Sequence, residues 1–148
     1  MSTLARQSSA TTRPAELGSV TITDGVRVSA RPSYLRDRSE PGADRHTWSY
    51  RVRIVNETDT HVKLLRRRWL IIDGDGERKE VAGDGVVGQQ PVLGPGESYE
   101  YSSFCPLDCA WGTMEGWYTF ARLTDAADAP ADTFDARIGR FYLISPGA

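Results

Sequence analysis

Strict alternation of apolar and polar residues through segment 48–54 constrains the fold of this chain more than any other feature. Large apolar side chains occupy the even positions of the segment, and serine or arginine occupies the odd ones. A period of two places all the apolar side chains on one face of a β-strand, whereas a helix would scatter them around its axis. The segment therefore predicts a half-buried strand whose inward residues are Trp48, Tyr50, Val52 and Ile54.

Similar short segments recur along the chain, and no sustained helical period appears between them. Val20 and Ile22, followed by Val26 and Val28, predict one half-buried strand with a bend or bulge at Thr23-Asp24-Gly25. Asp73-Gly74-Asp75-Gly76 is typical of a hairpin turn, and 83–96 reads as a long loop rich in glycine and proline. The predicted strands cover 20–28, 48–54, 62–72, 78–81, 99–103, 114–123 and 133–144.

This spacing predicts an all-β fold, an antiparallel β-sandwich of about seven to eight strands resembling immunoglobulin or fibronectin type III domains. A parallel α/β fold is excluded because its crossover connections need helices. Residues 1–18 contain few large aliphatic side chains and predict a disordered N-terminal tail, so the folded domain is expected to span 19–148.

The composition argues against some classes of partner but identifies none. With 20 acidic and 18 basic residues the formal charge is −2, which gives no general attraction for nucleic acid or an anionic membrane. No apolar run is long enough to span a bilayer, and the N-terminus lacks the apolar stretch of a secretory signal. We therefore expect a cytoplasmic protein without membrane insertion. Two cysteines, Cys105 and Cys109, are too few for a disulfide scaffold and are expected to be reduced thiols.

Spaced motifs between Leu64 and Tyr118 carry a family resemblance. They are Arg67-Arg68-Trp69-Leu70-Ile71, Asp73-Gly74, Glu80-Val81, Gly83-Asp84-Gly85-Val86-Val87-Gly88, Gln90-Pro91, Pro95-Gly96 and Gly112-Thr113-Met114-Glu115-Gly116. In these motifs the chain resembles the ApaG family, with a looser match over 20–144. The resemblance implies a fibronectin type III or immunoglobulin-like sandwich. Family members include stand-alone bacterial proteins and domains attached to eukaryotic proteins, which implies a protein-interaction module, and the bacterial members are associated with cobalt and magnesium efflux.

The glycine-rich segment 83–88 matches the G-x-G-x-x-G pattern of dinucleotide-binding folds at Gly83, Gly85 and Gly88. Such a motif binds pyrophosphate at a helix N-terminus, and here Gln89-Gln90-Pro91 follows instead of a helix. We favour the interpretation that these glycines are present because they permit positive φ in a tight loop. The alternative is a sensor that binds phosphate or a pyrophosphate-containing nucleotide through backbone amides of this loop.

Three consecutive arginines precede Trp69. In a strand, Arg66 and Arg68 lie on one face and Arg67 on the other. Arg66 and Arg68 are candidate binding residues for phosphate, nucleic acid or an acidic peptide, although we favour a solvated strand face as their explanation. Arg67 falls among apolar neighbours, so it needs a carboxylate or carbonyl partner and is expected to be structural.

No metal, cofactor or catalytic constellation is predicted. The acidic residues near 73–84 are typical of turns that hydrogen-bond their own backbone, and the two histidines, His46 and His61, are far apart in sequence. We therefore expect a binding module rather than an enzyme, with an unidentified protein partner. Trp111, expected in a loop beside Cys109, is the tryptophan predicted to be exposed for contact. Edge strands of a sandwich can pair between chains, which leaves a homodimer open.

Overall fold

The computed structural model describes residues 14–124 and 130–147 as a β-sandwich preceded by a single helical turn. The turn is α1 (Pro14–Leu17), and most of the predicted tail, residues 1–13, lies outside the described residues. No helix among the described residues is long and apolar enough to cross a membrane. The strands are β1 (Ser19–Thr23), β2 (Val26–Tyr34), β3 (His46–Asn56), β4 (Val62–Asp73), β5 (Arg78–Asp84), β6 (Val92–Leu93), β7 (Ser98–Leu107), β8 (Trp111–Leu123) and β9 (Pro130–Ile144).

The strands form two antiparallel sheets, which confirms the predicted sandwich. The first sheet has the order β1-β2-β3-β7, and the second has the order β5-β4-β8-β9 with β6 paired to β4. We call them sheet I and sheet II. Strands β2 and β1 of sheet I pack against β9 of sheet II, so the sheets close tightly along that side.

The core lies between the sheets and consists mainly of alternate residues of the central strands. Strand β3 buries the four residues that its alternation predicts, and Trp48 is 1% exposed. The ring centroids of Tyr50 and Trp69 lie 5.3 Å apart, and those of Trp69 and Phe141 lie 5.9 Å apart, both pairs in an edge-to-face arrangement. Aromatic pairs in this arrangement add to the free energy gained from burial. The strongest strand pattern in the sequence thus supplies one wall of the core.

The first predicted strand is wrong in two respects. Asp24 and Gly25 both have positive φ, +48° and +81°, and form a two-residue turn that divides the segment into β1 and β2. Val20 and Ile22 are 60% and 55% exposed, so the alternation in β1 points outward. The reason is that Ser19 and Thr21 instead face β9, where their hydroxyl groups donate to the carbonyl oxygens of residues 139 and 137.

Two predicted loops are partly strand. Strand β5 continues to Asp84, because residues 82–84 pair with residues 66–68 of β4. Trp111 begins β8 rather than lying in a loop, and Cys105 belongs to β7. Gly112, which follows Trp111, would place an added Cβ 2.8 Å from the carbonyl oxygen of Ile72. Glycine is required here because another strand's backbone approaches closely. Since glycine has a low strand propensity, the sequence pattern does not indicate a strand at this position.

Buried tyrosines make the stability of this sandwich sensitive to alkaline pH. The hydroxyl groups of Tyr101 and Tyr118 hydrogen-bond to each other, and burial raises the pKa of both, as it does for Tyr50, above the usual 10.0. The unfolded chain releases these protons first as the pH rises, so the folded state binds more protons above pH 10. We expect the free energy of unfolding to be unaffected by these groups below about pH 10 and to fall above it, by up to about 1.4 kcal/mol per pH unit for each tyrosine.

Urea unfolding between pH 9 and pH 11.5 measures this decline. The double substitution of Tyr101 and Tyr118 by phenylalanine removes both hydroxyl groups together, so no buried partner is left unpaired. The double variant should show a shallower decline above pH 10, and an identical decline would contradict the assignment to these two groups.

Candidate functional site

The loop after β5 is held by its own backbone. Gly85 N–H donates to the carbonyl of Leu65 at 2.8 Å, and Val86 and Gln89 exchange two hydrogen bonds of 2.8 Å. Val87 and Gly88, at the tip of this exchange, have positive φ. The amide groups of residues 85, 86 and 89 are therefore occupied by carbonyl oxygens rather than directed at a common anion. This geometry supports the predicted positive-φ role for Gly85 and Gly88. The same prediction is wrong for Gly83, which has no positive φ because it lies in β5 and pairs with Arg67.

Arg67 explains why Gly83 is glycine. Nη1 of Arg67 donates to the carbonyl oxygens of Asp84 and Gly85, each at 3.0 Å. A Cβ at Gly83 would lie 2.9 Å from both terminal guanidinium nitrogens. The carbonyl partner expected for Arg67 is present, and the side chain clamps the start of the loop.

Arg66 and Arg68 point to the opposite side of sheet II from Arg67, as the strand geometry predicts. Both are exposed. The guanidinium carbon of Arg68 lies 5.6 Å from the ring centroid of Trp117, and that of Arg137 lies 5.9 Å from the same ring. Arginine within about 6 Å of a tryptophan face is attracted to it. Trp117 is thus held between two arginines on the outer face of sheet II.

An apolar patch continues along the same face. We call Trp111, Tyr142 and Ile144 the outer patch; they are 45%, 40% and 38% exposed. Trp111 pairs directly with Ile144, and Tyr142 lies two residues further along β9 opposite Thr113. Directly opposite residues of antiparallel strands have Cβ atoms roughly 5 Å apart. The outer patch is therefore contiguous, and the predicted exposure of Trp111 is confirmed.

Glu115 joins the outer patch to the arginines around Trp117. Its side chain is 10% exposed, and its two carboxylate oxygens accept hydrogen bonds from Arg137 Nη2 at 3.0 Å and Arg140 Nε at 2.8 Å. The bonded carboxylate raises the pKa of Arg140. Burying the carboxylate is tolerable because two guanidinium groups compensate it. The arrangement fixes both arginine side chains on this face.

The acidic turn and the cysteines have structural roles. Asp73 Oδ1 accepts from the amides of Asp75 and Glu77 at 2.9 and 3.0 Å, which is the turn chemistry that the sequence predicts. Cys109 Sγ accepts from Gly74 N–H at 3.2 Å, and its thiol donates to the carbonyl of Trp111 at 3.3 Å. Both cysteines are free thiols. One ligand atom each from Asp73, Asp75 and Cys109 lies within 4.8 Å of the others, and the Asp73 carboxylate and the Cys109 thiol already hydrogen-bond to backbone groups of this turn and of Trp111.

The histidines are not brought together into a site. His46 is buried, with Nδ1 2.8 Å from the hydroxyl of Tyr34 and Nε2 3.4 Å from Asp44. His61 is exposed beside Gly94 at the far end of β3.

Sequence reasoning missed Tyr142, Ile144, Arg137 and Arg140. A β-bulge between Met114 and Gly116 shifts the register, so that inward residues of β9 change from even to odd positions. Ile138 and Phe141 are both fully buried although they are three residues apart. That spacing was the available signal, because a regular strand cannot bury both.

Comparison with known proteins places the chain in a family. A model of the ApaG domain matches residues 36–122. Protein ApaG of Anaeromyxobacter sp. (strain K) is 48% identical over 129 residues, covering 87% of this chain and 97% of that protein. Protein ApaG of Mesorhizobium japonicum is 45% identical over 126 residues, covering 85% and 92%. A crystal structure of an ApaA protein from Bordetella pertussis has a TM-score of 0.75 and 37% identity, and covers 83% of this chain and 95% of that one. The resemblance read from the spaced motifs is thereby confirmed, and the chain belongs to the ApaG domain family.

Proposed function

We propose that this chain is a non-enzymatic, cytoplasmic binding module that recognises another protein through the outer face of sheet II. The observation that carries the proposal is the outer patch, where Trp111, Tyr142 and Ile144 are all more than a third exposed and adjoin one another. Tryptophan, tyrosine and arginine are the residue types that contribute most to binding energy at protein interfaces.

The surroundings of the outer patch indicate what kind of partner it suits. Arg66 and Arg68 have no carboxylate within 4.0 Å among the residues that the structure describes. Arg137 and Arg140 share the single carboxylate of Glu115. A partner segment with an apolar or aromatic anchor and neighbouring acidic residues would bury the outer patch and pair with these arginines.

The face is also preorganised. Its residues belong to paired strands of a sandwich, and the arginine side chains are already oriented by Glu115 and Trp117. Ordering of long side chains is a main cost of association, so a face that is ordered in advance binds more tightly.

Replacing Trp111 with alanine tests the proposal. The backbone carbonyl of Trp111 accepts hydrogen bonds from Gly74 N–H and from the Cys109 thiol. Alanine has the same carbonyl, so both hydrogen bonds survive the substitution. We expect the melting temperature to fall by only a few degrees, because the ring is 45% exposed. Retention of the partner by immobilised protein should weaken by about tenfold or more. Quantitative mass spectrometry of proteins retained from a bacterial lysate measures this.

Phe104 provides a matched control, since it is an aromatic side chain that is 54% exposed on the outer face of sheet I. Phe104→Ala should retain the same proteins as the wild type. If Trp111→Ala retains them equally well, or if it melts far below the wild type because the ring belongs to the core, the proposed face is wrong.

The phosphate or nucleotide sensor at Gly83–Gly88 and the link to cobalt and magnesium efflux stay predictions. Such a link would run through the protein partner under the proposed function.

A further inference from the structure

A cleft opens between the sheets on the side away from the β1 and β9 contact. It is bordered by β5 of sheet II and β7 of sheet I and has a volume of about 530 Å³. Its floor is formed by buried side chains, among them Tyr50, Trp69, Cys105 and Met114. This volume lies within the range of small-molecule sites, which are mostly apolar with a few polar groups that fix orientation.

Three cations line the cleft, and Arg67, at one end of it, is half-buried whereas Arg78 and Lys79 are exposed. Arg67 lines the cleft and is half-buried, and no carboxylate of the described residues lies within 4.0 Å of it. Its two hydrogen bonds to carbonyl oxygens both use Nη1. A guanidinium group has five N–H donors, so the clamp on the loop leaves most of its donors for another acceptor. A half-buried positive charge with spare donors favours an anionic ligand.

The rest of the cleft suits a flat apolar body. Trp69 pairs with Val81 next to the Arg67 row, and Ile71 pairs with Lys79 further along. The Arg67 row and the Lys79 row are separated by four residues of β4, which span roughly 13 Å, so an aromatic ring fits between them. Acidic groups of Asp73, Glu77 and Asp108 lie in the lining near the β4–β5 turn, at the end opposite to Arg67.

The polar groups on the floor are neutral. Burial raises the pKa of the Cys105 thiol to about 11 and raises that of Tyr50, whose hydroxyl group interacts with Ser103. Neither group therefore adds a negative charge that would repel an anion near neutral pH.

We propose that the cleft binds a small aromatic anion, either a carboxylate or a phosphate monoester, with its charged group on Arg67 and its ring against Trp69. This site is independent of the proposed protein-binding face, which lies on the opposite side of sheet II. Lys79 alone does not identify the site. Its charge on the edge strand β5 has another explanation, because such charges prevent edge-to-edge pairing with other sheets.

Nuclear magnetic resonance titration of the wild-type protein tests the proposal, with phenylacetate and phenyl phosphate as probes and 2-phenylethanol as the uncharged analogue. We expect the anions to shift the Trp69 indole and Gly83 amide signals saturably at millimolar concentration, and 2-phenylethanol to leave them unchanged. If neither anion produces a saturable shift at these two positions, or if the alcohol produces the same one, the proposal is overturned.

Variants locate the charge that is recognised. Arg67→Met should weaken the anions by about tenfold or more, because a charge-assisted hydrogen bond is lost. Arg66→Met removes the adjacent arginine on the outer face and should leave binding unchanged. Equal loss in both variants, or full binding in Arg67→Met, would overturn the proposal. If Arg67→Met fails to fold, Arg67→Lys takes its place, because it keeps the charge but loses the paired donors. Arg67→Lys should bind the anions more weakly than Arg66→Met does. Equal binding of the anions by these two variants would overturn the proposal.

Discussion

Gly85→Val should destabilise the protein by about 4 kcal/mol, which for a chain of this length lowers the melting temperature by roughly 15 °C. Two causes add. Gly85 has φ of +61°, a left-handed conformation that costs a residue with a side chain about 1–2 kcal/mol and a β-branched one more. An added Cβ would also lie 2.1 Å from the carbonyl oxygen of Gln89, which is backbone and cannot move without breaking its hydrogen bond to Val86.

Gly88→Ala separates these two causes. Gly88 has φ of +78°, but no atom lies within 4 Å of an added Cβ. Only the conformational cost of about 1 kcal/mol should remain. Thermal unfolding of the two variants should therefore differ by several degrees. Near-equal melting temperatures would mean that the close approach to Gln89 is not a constraint, and the glycine pattern would again need a functional explanation.

Asn56→Ala is expected to cost about 3 kcal/mol, the second-largest effect. Asn56 is fully buried at the end of β3. Its Nδ2 donates to the carbonyls of Thr60 and Leu93 at 2.8 and 2.9 Å, and its Oδ1 accepts from the amide and hydroxyl of Thr58 at 2.9 and 2.6 Å. Alanine removes all four bonds and leaves the Leu93 carbonyl without this donor in a buried site, where an unsatisfied group costs about 1–3 kcal/mol.

Urea unfolding of Asn56→Ala and Thr58→Val checks this prediction. Thr58→Val removes the hydroxyl donor to Asn56 together with the hydroxyl's bonds to the backbone of Thr60, keeps the other three bonds of Asn56, and should cost about 1 kcal/mol. The Asn56 network would be refuted as a stabilising element if Asn56→Ala cost no more than Thr58→Val.

Local patterns predicted those parts of the fold in which burial follows the strand period. Segment 48–54 faces one core and keeps its alternation, so β3 could be read directly from the sequence. Strand β1 could not, because its threonines and serine bond to β9, about 116 residues away in sequence. Tertiary contacts of this kind override local preference and leave no local signal.

The candidate sites also include features that follow from local pattern and features that depend on tertiary contacts. The opposite orientations of Arg66 and Arg67 and the carbonyl partners of Arg67 follow from strand geometry and the cost of burying a charge. The outer patch depends on the bulge at residues 114–116 and on pairing between β8 and β9. The cleft depends on where two sheets part. Neither relation between distant residues can be derived from one segment at a time.

Photo-cross-linking in living cells tests the protein-binding face most directly. A photoreactive phenylalanine analogue replaces Tyr142 in the outer patch or, as the control, Phe104 on sheet I. We predict a discrete cross-linked product from position 142 that is absent from position 104 and is lost when Trp111 is also replaced by alanine. A product from position 104 alone, or none from position 142, would contradict the assignment of this face to partner binding.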